Sequence, residues 1–343
     1  MAGGFKVRRL TAASRIAIPL AGALALSACS SSEQPKDNLQ VVANPTAAKP
    51  AVSPARAAPP AGQVLPMPVV SAIAADQQSH TLVVALKQPA ELRLYDLASL
   101  GAPKKTVLLP GPAESLSVSA GQALAGIPDK GVLARVALPS GQLTAEKVAG
   151  QPAAGVADGP DTLVAVRDRK AVEVLANGSV AKTITGQLYS ADDVVNTGNG
   201  VVVLDRLRTA VFSVDVQGGT MDEGLRAGDG AANAVADSYG RVLVTDTRAG
   251  ALLAFSTNPL ILRQRYPVPG SPYGLAYDAK RSLAWVTLTA RNEVVGYDVR
   301  GGEPVEKYRF PTVRQPDTVG VDDQSGRVFV GSAAGEGTQV IQP

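Results

Sequence analysis

One histidine and one cysteine, His80 and Cys29, set narrow limits on the chemistry open to this chain of 343 residues. A serine–histidine–acid triad would have to use His80, and a zinc site built on two or more histidines is impossible within one chain. His80 sits in QQSHTL at a turn, where a solvated imidazole is the expected state. AGDGAAN, from Ala227, holds a Gly-x-Gly, but no helix follows it to make a phosphate cradle. Oxygen donors and positive charges remain. Asp193, Asn196, Asn233 and Asp317 stand close to the starts of short apolar runs. Calcium takes about six to eight oxygens, so several of the four would have to converge to hold one ion. Lys87, Lys130, Arg167, Arg206 with Arg208, Arg248 and Arg291 recur at wide intervals, each place just after a β-rich run, and such a set suits an acidic partner. Asp205 and Asp246 end two of those runs, VVVLD and VLVTD, where a carboxyl serves most simply as a cap for the N–H groups of the next turn.

These residues recur because the elements that carry them recur. A short pattern of small residues, an aliphatic residue and then often Asp or Asn appears as SAIAAD, ESLSVS, AGVAD, DDVVN, NAVAD, YGLAYD and DTVGVD. Its aliphatic anchors are Ile73, Leu116, Val156, Val194, Val235, Leu275 and Val319, separated by 43, 40, 38, 41, 40 and 44 residues. Each unit continues with a second β-rich run, such as TLVVAL or LAWVTL, then a third and a fourth. Turn pairs such as Asn177-Gly178 and Gly218-Gly219 separate the runs. No helical pattern of useful length follows Gly62.

Four short strands per unit of about 40 residues is the arrangement of one propeller blade. The expected fold class is therefore all-β, a seven-bladed β-propeller over residues 62–343. A pair of β-sandwiches is the competing fold. The final unit stops at TQVIQP after its third strand, whereas QVLPMPVV from Gln63 reads like a fourth strand. The N-terminal strand is accordingly expected to close the last blade. Strands alternate in direction, so the turns between second and third strands share one face with the connectors between blades. The seven bases fall on those turns in blades one to six, and blade seven carries Glu336 instead. The connectors add Glu114, Asp192, Asp193, Asp229 and Asp317. Two readings stand side by side. The charges pair with one another and solubilise the turns, or the bases form a rim that binds an acidic partner.

The first residues place the protein. Lys6, Arg8, Arg9 and Arg15 precede an apolar run, Ile16 to Leu26, that is too short to span a membrane as a helix. Leu26-Ser27-Ala28-Cys29 resembles a bacterial lipobox, in which the thiol receives a diacylglycerol and the chain is cut before the cysteine. The resemblance implies a signal peptide over 1–28 and lipid attachment at Cys29, outside the cell membrane. Acyl chains contribute about 0.8 kcal/mol per buried CH₂, so a diacylated cysteine anchors firmly. Removing the four bases of the signal from a net charge of +3 leaves −1, so the basic balance says nothing about nucleic acid. Residues 29–61, rich in Pro, Ala and Ser, are expected to be a disordered tether.

GLAYDAKRSLAWVTLTARNEVVGYDV, from Gly274, resembles a YVTN-type propeller repeat, and AVADSYGRVLVTDTRAGALLAFS, from Ala234, resembles the NHL repeat. The whole is similar to exported seven-bladed YVTN/NHL-like propellers carried on bacterial, and by composition actinobacterial, conserved lipoproteins. The resemblance implies the fold and little about activity, because propellers host binders, scaffolds and enzymes alike. A single tryptophan, Trp285, excludes WD-type repeats and tryptophan-docked quinone sites. The expected function is a lipid-anchored extracytoplasmic binding or scaffold protein of the cell envelope. Its partner would be an envelope protein or anionic polymer, with no nucleic acid and no cofactor. The alternative is a metal-assisted lactonase-like hydrolase holding calcium through Asp193, Asn196, Asn233 and Asp317 at a channel mouth. A small-ligand sensor would need a deep apolar pocket, and an aromatic content of 4% disfavours it.

Overall fold

The computed structural model describes residues 43–343, all within one compact unit. The expected signal segment, Cys29 and residues 30–42 of the expected tether lie outside the described residues. Seven four-stranded sheets follow one another, each antiparallel and each built from strands consecutive in space. The only helical element among the described residues is a short 3-10 turn, Pro128–Lys130, so none there crosses a membrane as a helix.

All seven anchors fall in the first strand of a sheet. Ile73 lies in Val70–Asp76, Leu116 in Ser115–Ser119, Val156 in Pro152–Asp158 and Val194 in Asp193–Asn196. Val235 lies in Ala231–Ala236, Leu275 in Pro272–Asp278 and Val319 in Pro316–Val321. Each first strand touches the first strands of both neighbouring sheets, and the seventh touches the first, so the contacts run in a closed circle. The repeat is therefore a ring of seven blades. In the seventh sheet, Pro316–Val321, Val328–Ser332 and Thr338–Ile341 are joined by Gln63–Leu65, with Gln63 opposite Val340.

Burial explains the residue types. The second strand of each blade is packed on both sides, and Thr81–Leu86 and Leu283–Leu288 are buried throughout, which is why they read as unbroken β-branched and aliphatic runs. Fourth strands such as Val305–Pro311 border the rim and are largely exposed, so they carry Glu306, Lys307 and Arg309. The core lies between blades. Trp285, fully buried, stacks with Tyr308 and Phe310 at centroid distances of 5.7 and 6.4 Å. Gly296 opposite leaves room for the ring: a Cβ there would meet it at 2.9 Å. Burying side chains of this size contributes about 1.5–3 kcal/mol each. The turn at Asn177-Gly178 has φ of 52° and 74°, the paired left-handed values of a type I′ hairpin.

One expectation is corrected. The stretch assigned to a disordered tether is not free beyond residue 45. Thr46 to Ala61 lies against the propeller, with Ala48 and Ser53 buried and Val52 89% exposed. Its prolines keep the chain extended, and an extended chain exposes carbonyls that the blades satisfy. We call this segment the strap.

Candidate binding face

The strap crosses the face that carries the second-to-third turns and the connectors, over blades four to seven. Arg206, after the second strand of blade four, donates from Nη2 to Ala48 O at 2.7 Å and to the Tyr273 hydroxyl at 3.2 Å. Ala48 fits closely over Gly230, where an added Cβ would come within 3.0 Å of its own. Arg248 in blade five donates to Thr46 O and to Asp229 O. In blade six, Thr289 Oγ1 accepts from Ala51 N at 3.0 Å, and Thr289 O accepts from the Ser53 hydroxyl at 2.6 Å. Asn292 Nδ2 donates to Pro54 O at 3.0 Å.

Gln315, in the connector to blade seven, holds one edge of the strap at two points. Its Nε2 donates to Ala51 O at 2.9 Å and its Oε1 accepts from Ser53 N at 3.0 Å. One side-chain amide thus pairs with residues i and i+2 as a neighbouring strand would. Gln315 N also donates to Ser53 Oγ at 3.0 Å. Gln315 and Asn292 both hold left-handed backbone, with φ of 51° and 52°. That conformation costs about 1 kcal/mol or more for a residue with a Cβ, and persists where surrounding contacts require it. Further along, Arg56 approaches Glu336 at 3.7 Å, and Gln339 Nε2 donates to Ala61 O at 2.7 Å.

The seven bases have separate fates. Arg167 joins three blades, donating to Glu114 of blade two at 2.7 Å and to Asp192 of blade four at 2.9 Å. Arg206 and Arg248 hold the strap. Lys87, Lys130 and Arg291 are exposed, with Lys130 over Gly111, Arg291 over Gly270, and Lys87 acting electrostatically on Asp317. Arg208 does not belong to a rim. It is 1% exposed, lies 4.8 Å from the Tyr189 ring and 5.7 Å from that of Phe212, and donates to Gln187 O. The turn folds it inward because those rings and that carbonyl replace water around the guanidinium.

The four oxygen donors are spread along the strands. Asn196, at the far end of its strand, donates to Asp158 Oδ1 and Ala157 O. Asn233 donates to Tyr273 O at 3.0 Å. Asp317 accepts from Gln315 Nε2 at 2.8 Å. Asp193 Oδ1 accepts from Val194 N at 2.9 Å. Burial pushes the Asp193 carboxyl up to about 7, against the opposing charge of Arg206, and pushes Asp317 up to about 6. Among the described residues, no three Asp, Glu, His or Cys side chains are grouped to hold a metal ion. His80 lies on the opposite face, exposed in the turn between the first two strands of blade one. A groove of about 630 Å³ there is lined by His80, Tyr95, Lys104 and Lys105 among others.

Asp205 and Asp246 are caps. Asp246, fully buried, accepts from Asp229 N, Gly230 N and Ala249 N at 3.0, 2.9 and 3.1 Å. Asp205 accepts from Arg208 N, the Ser190 hydroxyl and Tyr189 N. Sequence reasoning missed Thr289, Asn292 and Gln315 entirely. They are uncharged turn residues, and the only available signal was the proline spacing of the segment they hold.

No protein-family model and no curated protein sequence matches the chain. Solved structures do. A chain of hydrazine synthase from Kuenenia stuttgartiensis superposes with a TM-score of 0.70 at 15% identity, covering 82% of this chain and 97% of that one. A streptogramin B lyase gives a TM-score of 0.69 at 11% identity, covering 82% and 96%. Virginiamycin B lyase from Staphylococcus aureus gives 0.66 at 10% identity, covering 81% and 98%. At such identities the likeness speaks for architecture alone, and it agrees with the closed circle of first strands: this chain is a seven-bladed β-propeller.

Proposed function

We propose that the protein is a lipid-anchored, extracytoplasmic propeller that serves as a binding module of the cell envelope, attached through Cys29. The lipobox-like LSAC, the short apolar run before it and the YVTN/NHL-like repeats, together typical of a bacterial lipoprotein, support the location. One observation carries the binding role. A single face gathers side-chain donors from four consecutive blades, Arg206, Arg248, Asn292 and Gln315, and directs them at an extended chain rather than at one another. Donors arranged over a wide, shallow face suit a polymer or a protein segment better than a small molecule. Exposed Lys87, Lys130 and Arg291 surround that face and favour an acidic partner, either an envelope protein or an anionic polymer.

The test uses the full chain expressed with its export signal. Cys29→Ser should move the protein from the membrane fraction to the soluble extracytoplasmic fraction and abolish incorporation of labelled fatty acid. Retention in the membrane by that variant would refute anchoring. Capture of envelope material should fall when Lys87, Lys130 and Arg291 are changed to Glu. Unchanged capture would refute the acidic-partner reading.

A further inference from the structure

We infer that the strap-bearing face is a recognition site for extended, proline-spaced peptide, and that residues 43–61 occupy it as an exchangeable ligand in cis. This rests on the reading of the face as a binding surface and names the chemistry of what it binds.

Recognition of the strap is mostly recognition of main chain. Five carbonyl or N–H groups between Thr46 and Pro54 are met by side chains: Thr46 O, Ala48 O, Ala51 N and O, and Ser53 N, followed by Pro54 O from Asn292. Groups common to every residue are sequence-tolerant ligands, so specificity must come from the few side chains the face reads. Three positions do so. Ala48 is buried over Gly230, a place that admits only a small side chain. Five residues on, the Ser53 hydroxyl both donates to Thr289 O and accepts from Gln315 N, which calls for a hydroxyl. Three residues further, Arg56 faces Glu336, which stands in the second-to-third turn of blade seven, the turn that carries no base. Pro45, Pro50 and Pro54 set the extended backbone between them. The readable pattern is a small residue, four spacers, Ser, two spacers and a base.

Two observations mark this as a built site rather than a chance contact. Gln315 alone meets the strap three times, through its amide at Ala51 O and Ser53 N and through its main-chain N–H at Ser53 Oγ. Arg206 keeps a buried Nε without a hydrogen-bond partner among the described residues, so the strap does not exhaust the donors of the face. The strap adds no strand to any of the seven sheets, so it can leave without opening the ring.

The experiment uses the full chain carrying Ala48→Arg, which should expel the strap, and a fluorescent peptide of residues 43–61. The peptide should bind that variant about tenfold or more tightly than the wild-type chain, whose face is already filled. Adding Gln315→Ala to the variant, or Ser53→Ala to the peptide, should weaken binding by about fivefold or more. Ser53→Arg serves as a second expelling variant should Ala48→Arg not fold. Equal binding to both chains, no binding to a folded variant, or continued exchange protection of the Ala51 and Ser53 amides in it would overturn the inference. Peptide binding without envelope capture would refute the acidic-partner reading and leave this one standing; capture without peptide binding would do the reverse.

Discussion

Removing the Asp246 carboxyl is the sharpest test of how the blades are held. Asp246 has no solvent exposure and accepts three backbone N–H groups, from Asp229, Gly230 and Ala249. It thereby ties the connector entering blade five to the turn leaving its second strand. Gly228 lies so close that a Cβ there would meet Oδ2 at 1.9 Å, so no other side chain shares the space. Asp246→Ala leaves three donors unmet, that of Gly230 buried and those of Asp229 and Ala249 partly buried. Each such donor costs about 1–3 kcal/mol, and partial rehydration reduces the total, so a loss of about 3–5 kcal/mol is expected. Asp246→Asn keeps Oδ1 for Gly230 and Ala249 and replaces only the oxygen facing Asp229, so it should lose about half as much. Chemical denaturation at neutral pH, with slopes compared between variants, measures both. Hydrogen exchange should quicken at those three amides first. A loss below about 1 kcal/mol for Asp246→Ala would refute the capping role and reopen a functional one for the repeated carboxyls.

The pH dependence of stability should carry the mark of Asp193. Its carboxyl titrates near 7 in the folded chain and near 3.9 when unfolded, so between those values the folded chain holds a proton the unfolded one has released. Stability therefore falls as pH rises through that window and levels off above it. Melting curves of wild type and Asp193→Asn should diverge as pH rises from about 5 to 8, and parallel curves would contradict the assignment. Arg208→Ala should lower stability by about 2–3 kcal/mol through lost packing against Tyr189 and Phe212. Arg248→Ala should change it by less than about 1 kcal/mol in the same denaturation assay, and equal effects would return Arg208 to the surface set.

Periodicity was the most legible property of the chain. All seven anchors sit in first strands because a propeller repeats one packing problem seven times, and each solution demands an aliphatic residue at the same place. Even blade two, with the weak run ALAGI, forms its second strand at Gln122–Ile127. The face of the turns was legible too, since strand direction alternates by necessity. The fate of individual bases was not. Arg206 and Arg208 are two residues apart in one turn, yet one reaches a strap carbonyl and the other is enclosed by rings. Nothing local separates them, because Tyr189 arrives from the preceding connector. The strap was misjudged for a related reason. Composition shows that residues 43–61 cannot build a core of their own, but docking depends on donors supplied by residues more than 150 positions away.

The contact of the seventh first strand with the first has a temporal consequence. Gly320 packs against Ile73, and Gly331 against Val70, across some 250 residues of intervening chain. Closing so long a loop is slow, and until it happens blades one and six each present a bare apolar flank. A chain emerging amino end first thus stays a sticky open arc until its seventh wedge has appeared. Helpers that shield such flanks should matter most in that interval, and a chain cut short before residue 316 should be cleared or clump rather than persist as a smaller ring.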